Sequence, residues 1–188
     1  MPDPLLPLTT ERLTLRAHAQ GDAAWLMRVY GRADVARFLL EGPWEQGDAE
    51  RRLAERMAKT DLDGDPAALA LVIEHDGEPV GDVGLWLTDV ERRVAEIGWV
   101  LDPDQSGRGY AREAVAEVLR VAFEHHRVHR VVAQMDARNT ASAKLAAAVG
   151  MRQEAHLRQD WWSKGEWTDT LVFAMLAGDR ADEPAPGL

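Results

Sequence analysis

The sequence predicts one α/β domain of the α+β kind, in which a mixed, mostly antiparallel central sheet is flanked by helices. Residues 67–102 hold three apolar runs separated by short polar turns, as in an antiparallel meander. Helical and apolar patterns then alternate up to residue 176. With 188 residues, 46% of them hydrophobic, the chain can bury one core. We therefore assign residues 1–178 to a single domain and residues 179–188 to a flexible tail.

The part before the meander is predicted to be one strand followed by helices. Residues 12–18 alternate well enough for a strand, and a helix-like run follows Gly21-Asp22. A second short helix is predicted over residues 33–40, and a charged helix covers residues 48–59. These helices are expected to cover one face of the sheet.

The meander comprises three predicted strands. They cover residues 67–74, 79–87 and 94–102, and Asp76-Gly77 is a pair typical of a tight hairpin turn between the first two.

The second half of the chain alternates helices with strands. The predicted elements are a helix over residues 111–126, a strand over 130–136, a helix over 139–149 and two strands, 151–161 and 168–176, around a turn at Ser163-Lys164-Gly165.

Composition excludes several classes of function. The chain has no cysteine, so it has no disulfides and no thiolate nucleophile. A net charge of −10 disfavours nucleic acid as a partner and favours a cationic substrate. The N-terminus does not resemble a signal peptide and no apolar run approaches about 20 residues, so we expect a cytoplasmic protein without a membrane partner.

The stretch DPDQSGRGYAREA, residues 102–114, connects an apolar strand to an amphipathic helix. A helix N-terminus attracts anions, and Gly107 and Gly109 allow the backbone close to a phosphate, with Arg108 and Arg112 adding positive charge. A triphosphatase loop would need a lysine and a hydroxyl that are missing, and a dinucleotide fold would need glycine where Arg112 stands. The alternative is that the glycines only make a tight turn.

The run EIGWVLDPDQSGRGYAREAV resembles the acetyl-coenzyme A signature of the GNAT superfamily of N-acetyltransferases, whose loop has the pattern Gln/Arg-x-x-Gly-x-Gly/Ala. Ser106 stands where Gln or Arg is usual, and the pattern continues through Gly107, Arg108, Gly109, Tyr110 and Ala111.

A second stretch, MDARNTASAKLAAAVGMRQEA, resembles the superfamily's Asn-x-x-Ser-x-x-Leu-x-x-x-x-Gly-Phe. Asn139, Ser142, Leu145 and Gly150 match it, and Met151 replaces Phe. Both ends of the chain are similar to the branch that contains the Rim-type ribosomal-protein N-terminal acetyltransferases, so the resemblance covers residues 9–176.

The resemblance implies that acetyl-coenzyme A is the co-substrate, held between splayed strands. Residues 99–101 would pair with its pantetheine arm beside the neighbouring strand 131–136, and the amide near Val100 would stabilise an oxyanion. Lys144 would meet the remote phosphates or be a surface lysine. The implied cofactor-binding residues are Trp99, Val100, Leu101, Ser106, Gly107, Arg108, Gly109, Tyr110, Ala111, Arg112, Asn139, Ser142 and Lys144.

Three residues are implied in catalysis. Glu96 would take the proton of the amine, or else anchor a neighbouring group. The tyrosine that many relatives use as an acid is absent, because Tyr30 and Tyr110 stand elsewhere. Ser142 would replace it or simply begin a helix, and Asn139 would bond the pantetheine or a water.

The acceptor pocket is expected at the loop around Trp44, whose acidic neighbours Glu41, Glu45 and Asp48 would attract an ammonium group. Asp160 and Trp161, with Trp162, would close the opposite wall or line a homodimer contact.

No metal is expected. His125, His126 and His129 end a predicted helix, where positive charge suits the helix dipole.

The sequence thus predicts direct acetyl transfer to the primary amine of a small cationic molecule or of a protein N-terminus. The alternative is a non-catalytic sensor or scaffold that binds acyl-coenzyme A, which the missing tyrosine and Ser106 favour. A nicotinamide-dependent oxidoreductase is a third hypothesis, disfavoured by Arg112.

Overall fold

The computed structural model describes residues 5–180. Residues 181–188 of the predicted tail lie outside the described residues, whereas Asp179 and Arg180 lie in a 3-10 turn, Ala177–Arg180. The strands are β1 (Leu8–Thr9), β2 (Thr14–Ala17), β3 (Thr60–Asp61), β4 (Ala68–His75), β5 (Glu78–Asp89), β6 (Val94–Leu101), β7 (Arg130–Asp136), β8 (Arg152–Ser163) and β9 (Glu166–Leu176). The helices are α1 (Ala23–Tyr30), α2 (Ala33–Ala36), α3 (Asp48–Met57), α4 (Tyr110–Glu124) and α5 (Thr140–Ala148).

The strands form one sheet in the order β1-β2-β4-β5-β6-β7-β9-β8, with β3 on the edge of β4. Every pairing is antiparallel except that of β6 with β7, which α4 connects. The predicted meander is confirmed as β4, β5 and β6, and the turn between β4 and β5 has positive φ at Asp76 and Gly77, as a tight hairpin requires. The mixed, mostly antiparallel sheet is also confirmed.

The prediction was wrong or incomplete at three short elements. The two-residue strands β1 and β3 were not predicted, because two residues show no periodicity. The helix expected over residues 33–40 ends at Ala36. Beyond it, the ammonium group of Lys164 binds the carbonyl oxygens of Ala36, Arg37 and Leu39, which replaces the bonds that further helical turns would make.

The meander has two unlike faces. One, here called the core face, carries Leu71, Leu85 and Ile97, which pack with Val115 and Val118 of α4 in the main hydrophobic cluster. The other, here called the cavity face, lies toward α1 and α3, whose own apolar residues form a second cluster. Side chains alternate along a strand, so each face receives every second residue. None of the helices within residues 5–180 is long and apolar enough to cross a membrane.

Candidate active site

Strands β6 and β7 diverge from each other inside the sheet. They pair in parallel at only three positions, the last joining Glu96 to Val132. Both strands continue, β6 to Leu101 and β7 to Asp136. Within the described chain, the backbone groups of β6 that point toward β7 therefore lack a strand partner beyond Glu96. The predicted splayed strands are confirmed, and the fork opens a slot with free backbone donors and acceptors.

The glycine-rich loop leads from β6 into α4. Gly107 and Gly109 have φ of 78° and 82°, a region that favours glycine. Helix α4 starts without a side-chain cap, and its first backbone bond runs from the Glu113 amide to the Gly109 carbonyl at 3.1 Å. The amides of residues 110–112 are thus left without an intrahelical acceptor, which suits a bound phosphate.

Arg12 holds this loop from the N-terminal side. Its guanidinium donates to the Arg108 carbonyl at 3.0 Å and pairs with Glu113 at 2.6 Å. The Tyr110 side chain is 4% exposed and its ring lies 4.6 Å from that of His75, so only the backbone of Tyr110 is free to meet a ligand. The side chains of Arg108 and Arg112 are exposed.

A cavity of about 780 Å³ lies on the cavity face. It brings together many of the residues predicted from the sequence. They are Glu41, Trp44, Glu96, Trp99, Val100, Asn139, Ser142, Asp160 and Trp161. The predicted cofactor residues Leu101, Lys144 and 106–112 are not among those that line it.

Glu96 lies in the cavity at the fork. Its side chain is half-buried, and burial raises the pKa of its carboxyl, an effect that a hydrogen bond with Gln134 partly offsets. A carboxyl with a raised pKa is a better proton acceptor near neutral pH than an ordinary one.

Asn139 and Ser142 lie at the start of α5. The Asn139 side-chain oxygen accepts a hydrogen bond from the Ser142 amide at 3.1 Å, so Asn139 caps the helix. This structural role uses one polar atom of Asn139 and leaves the Ser142 hydroxyl beside the cavity.

The acidic loop is more neutral than the sequence suggested. Arg52 pairs with Glu41, and Arg51 pairs with Asp48 at 2.5 Å. The predicted attraction for an ammonium group is reduced, because these two carboxylates already have a cation. Trp44 is 7% exposed.

On the opposite wall, Asp160 and Trp161 line the cavity and Trp162 does not. Trp162 meets Trp167 edge to face, with ring centroids 5.3 Å apart. The homodimer stays a prediction.

The sequence analysis missed a buried polar group in the cavity. The Tyr30 hydroxyl donates to Asp82 at 2.7 Å, and Nε of Arg56 donates to the other Asp82 oxygen at 3.2 Å. Burial, with Asp82 nearby, raises the pKa of Tyr30 well above its usual value. The Tyr30 and Trp44 rings stack 4.2 Å apart below the Arg56 guanidinium. The only sequence signal was Asp82, an acid inside an apolar strand.

His18 belongs to the same region. It lines the cavity and is 5% exposed, and burial lowers the pKa of its imidazole. Neither ring nitrogen has a hydrogen-bond partner among the described residues.

Of the three histidines, His125 ends α4 as expected, whereas His126 is buried. His126 is 2% exposed, and its Nδ1 lies 2.7 Å from an Asp63 oxygen. Asp61, Asp63 and His126 bring ligand atoms within 4.8 Å of one another, but Arg93 also pairs with Asp63 at 2.9 Å. The expectation that the chain needs no metal stays a prediction.

The fork, the uncapped helix and the cavity match a known family. The sequence profile of the acetyltransferase (GNAT) domain matches residues 12–152. The chain belongs to the GNAT acetyltransferase family. Uncharacterized N-acetyltransferase p20 of Bacillus licheniformis is 28% identical over 174 residues, which cover 93% of this chain and 98% of that protein.

Solved GNAT structures superpose over almost the whole chain. A GNAT-family acetyltransferase from Bacillus anthracis does so with a TM-score of 0.83 at 25% identity, covering 92% of this chain and 99% of that one. Spermidine N-acetyltransferase from Vibrio cholerae, solved with CoA and spermine, has a TM-score of 0.79 at 22% identity and covers 92% of this chain and 100% of its own. This GNAT protein is an acetyl-coenzyme A-dependent N-acetyltransferase, which transfers acetyl to an amine.

Proposed function

We propose that residues 106–112 bind the pyrophosphate of acetyl-coenzyme A and that the slot between β6 and β7 takes its pantetheine arm. The single observation that carries this proposal is the end of the β6–β7 pairing at Glu96. The free backbone groups of residues 97–101 can pair with the amide groups of an extended arm as a neighbouring strand would. The uncapped amides of α4 and the exposed side chains of Arg108 and Arg112 supply the complement to phosphate charge.

Glu96 is proposed as the group that takes a proton from the acceptor amine. An alkylamine is mostly protonated at neutral pH and must lose a proton before it attacks a thioester. Val100 lies four residues along the strand, a Cα separation of about 13 Å at roughly 3.3 Å per residue. If its amide is the oxyanion donor, the proton passes from the amine to Glu96 through a short water chain.

Ser142 is proposed to supply the proton to the departing thiolate. Ser142 is among the residues that line the cavity, its hydroxyl is a side-chain donor, and Asn139 fixes the start of the helix that carries it. In this scheme Asn139 acts by positioning Ser142.

The acceptor is proposed to be a small amine that binds in the cavity on the cavity face of the meander. A cavity of about 780 Å³ lies within the usual range of roughly 300–1,000 Å³ for small-molecule sites. A protein N-terminus remains the alternative acceptor. We also propose that the reaction takes place in the cytoplasm.

The test compares Glu96→Gln with the native protein. Removing a general base is expected to lower kcat by about 100-fold. Calorimetric titration should show acetyl-coenzyme A binding within about twofold of the native value, because the amide has the shape of the carboxyl.

The pH profile supplies a second readout. Below the raised pKa of Glu96 the carboxyl is protonated and cannot accept a proton, so kcat/KM of the native protein rises with pH through that pKa. Glu96→Gln should lose this limb and keep only the rise due to the amine itself. Unchanged kcat in the variant would remove Glu96 from the mechanism. Saturable binding of acetyl-coenzyme A without transfer to a broad amine panel would support the non-catalytic sensor.

A further inference from the structure

A tryptophan outside the sequence-predicted site lies on the cavity face beside Glu96. Trp86 lines the cavity and is 38% exposed, although it lies within the central strand β5. Large apolar side chains on central strands are usually buried, so this exposure needs a reason. We call Trp86 together with Gly84 and Gly98 the Trp86 site.

The two glycines make room for the indole. They are cross-strand partners, and neither has the positive φ that would require glycine. A Cβ on Gly84 would lie 3.5 Å from Cζ3 of Trp86, and one on Gly98 would lie 3.4 Å from Cη2. One edge of the indole thus runs across both glycines. An alanine Cβ at either position would be in van der Waals contact with the indole, and a side chain larger than alanine would displace it. The glycine pair holds Trp86 in the cavity.

The register places this indole next to the proposed base. Trp86 and Glu96 are direct cross-strand partners on the same face. Such partners have Cβ atoms about 5 Å apart. A ligand whose apolar group packs against the indole therefore lies beside Glu96, and its amine can extend along β6 toward Val100, where the proposed water chain joins it to the Glu96 carboxyl.

The rest of the cavity suits an apolar ligand with one charge. Five of the residues that line it contribute aromatic side chains, namely Tyr30, Phe38, Trp44, Trp86 and Trp161. Trp99 also lines it, but its side chain shares the core face with Ile97 and packs against the main hydrophobic cluster. Trp161 is also 47% exposed.

Among the cavity carboxylates, Arg52 pairs with Glu41 and Glu55, Arg56 with Asp82, and Arg138 with Asp136, whereas Glu96 and Asp160 have no ion-pair partner within the described residues. A polyamine would therefore meet two uncompensated carboxylates, so it is the aromatic lining, and not a lack of negative charge, that favours an acceptor with an apolar group.

We propose that the Trp86 site binds the carbon skeleton of the acceptor and that this acceptor is a primary amine carrying a planar apolar group, as in an arylalkylamine. The inference deepens the proposed function and depends on it only in taking the cavity as the acceptor site. The Trp86 side chain recognises the acceptor by direct contact and takes no part in proton transfer.

The test is calorimetric titration of the CoA-saturated protein with 2-phenylethylamine and, separately, with spermidine. The aromatic amine is expected to bind at least about tenfold more tightly. Trp86→Ala should weaken its binding by about tenfold, and Trp86→Phe should restore most of it. The matched control is Trp167→Ala, which removes an indole of 56% exposure that does not line the cavity and should bind like the native protein.

The same titrations overturn the proposal if spermidine binds as tightly as 2-phenylethylamine, if the aromatic amine does not bind, or if Trp86→Ala binds it like the native protein. A fault in the proposed function gives a different result. In that case CoA fails to bind, or Glu96→Gln turns over at the native rate, whatever Trp86 does. Trp86 is exposed, so its variants should retain the native melting temperature, which is measured first.

Discussion

The core face and the cavity face of β5 and β6 differ in almost every respect. The core face carries Val83, Leu85 and Ile97, each at most 2% exposed. One residue away, the cavity face carries glycines, the exposed Trp86 and the ionisable Glu96. A single step along the chain thus separates buried core residues from residues with a proposed chemical role. Substitutions at neighbouring positions should therefore affect different properties, namely stability on the core face and activity on the cavity face.

The largest expected effect lies on the core face. Ile97→Ala removes a side chain that is 2% exposed and leaves a cavity against α4. We expect the free energy of unfolding to fall by about 3 kcal/mol. Urea denaturation measures this loss, and Glu96→Gln next to it should lose under about 1 kcal/mol. If both variants lost the same free energy of unfolding, the two faces would contribute equally to stability, contrary to this comparison.

Asp82 is expected to be an exception among the cavity-face residues, because its substitution should lower the stability of the protein. Asp82→Asn removes the charge that compensates Arg56, a residue of α3 whose guanidinium reaches Asp82 on β5. The free energy of unfolding is expected to fall by about 2 kcal/mol. Glu124→Gln is the matched control, because it removes the charge of an exposed ion pair with Arg120 and should cost less than about 0.5 kcal/mol. Equal losses from the two variants would mean that burial adds nothing to the Asp82 pair.

The smallest effect on stability is expected at the turn between β8 and β9, which carries Lys164. Lys164→Met removes the ammonium that ties the β8–β9 turn to three carbonyl groups after α2. We expect a loss of about 1 kcal/mol in urea denaturation, and a rise of a few fold in the acceptor KM with kcat nearly unchanged. Lys164→Arg should retain part of the native KM. A fall in kcat alone would show that this turn affects the chemical step.

Local patterns predicted most of the fold. The Asp76-Gly77 pair and the apolar runs around it predicted the meander, and the helical spacing of Val115 and Val118 predicted α4. The early end of α2 was missed because its cause, Lys164, lies more than 120 residues later in the chain. Contacts of that kind leave no local pattern.

The sequence suggested those parts of the candidate site whose residues lie close together in the chain, and it did not suggest the parts that come from distant segments. The glycine loop and Glu96 occupy one continuous stretch, so a single motif was enough to propose them as candidates. Tyr30, Arg56 and Asp82 come from three separate elements, and only the packing of α1 and α3 on β5 brings them together. Trp86 was not singled out from the sequence, because the role proposed for it depends on the space left by two glycines, one of them on another strand.

The separation of β6 from β7 also governs how the sheet moves. Beyond Glu96 the two halves of the sheet share no strand hydrogen bonds, so they are joined by three residue pairs and by the crossover through α4. Opening along such a seam breaks far fewer interactions than global unfolding, and regions of this kind exchange their amide hydrogens first. The line along which we propose that the cofactor binds is therefore also a line along which only three residue pairs join two adjacent strands. A ligand arm that bridges the seam would stiffen the whole sheet.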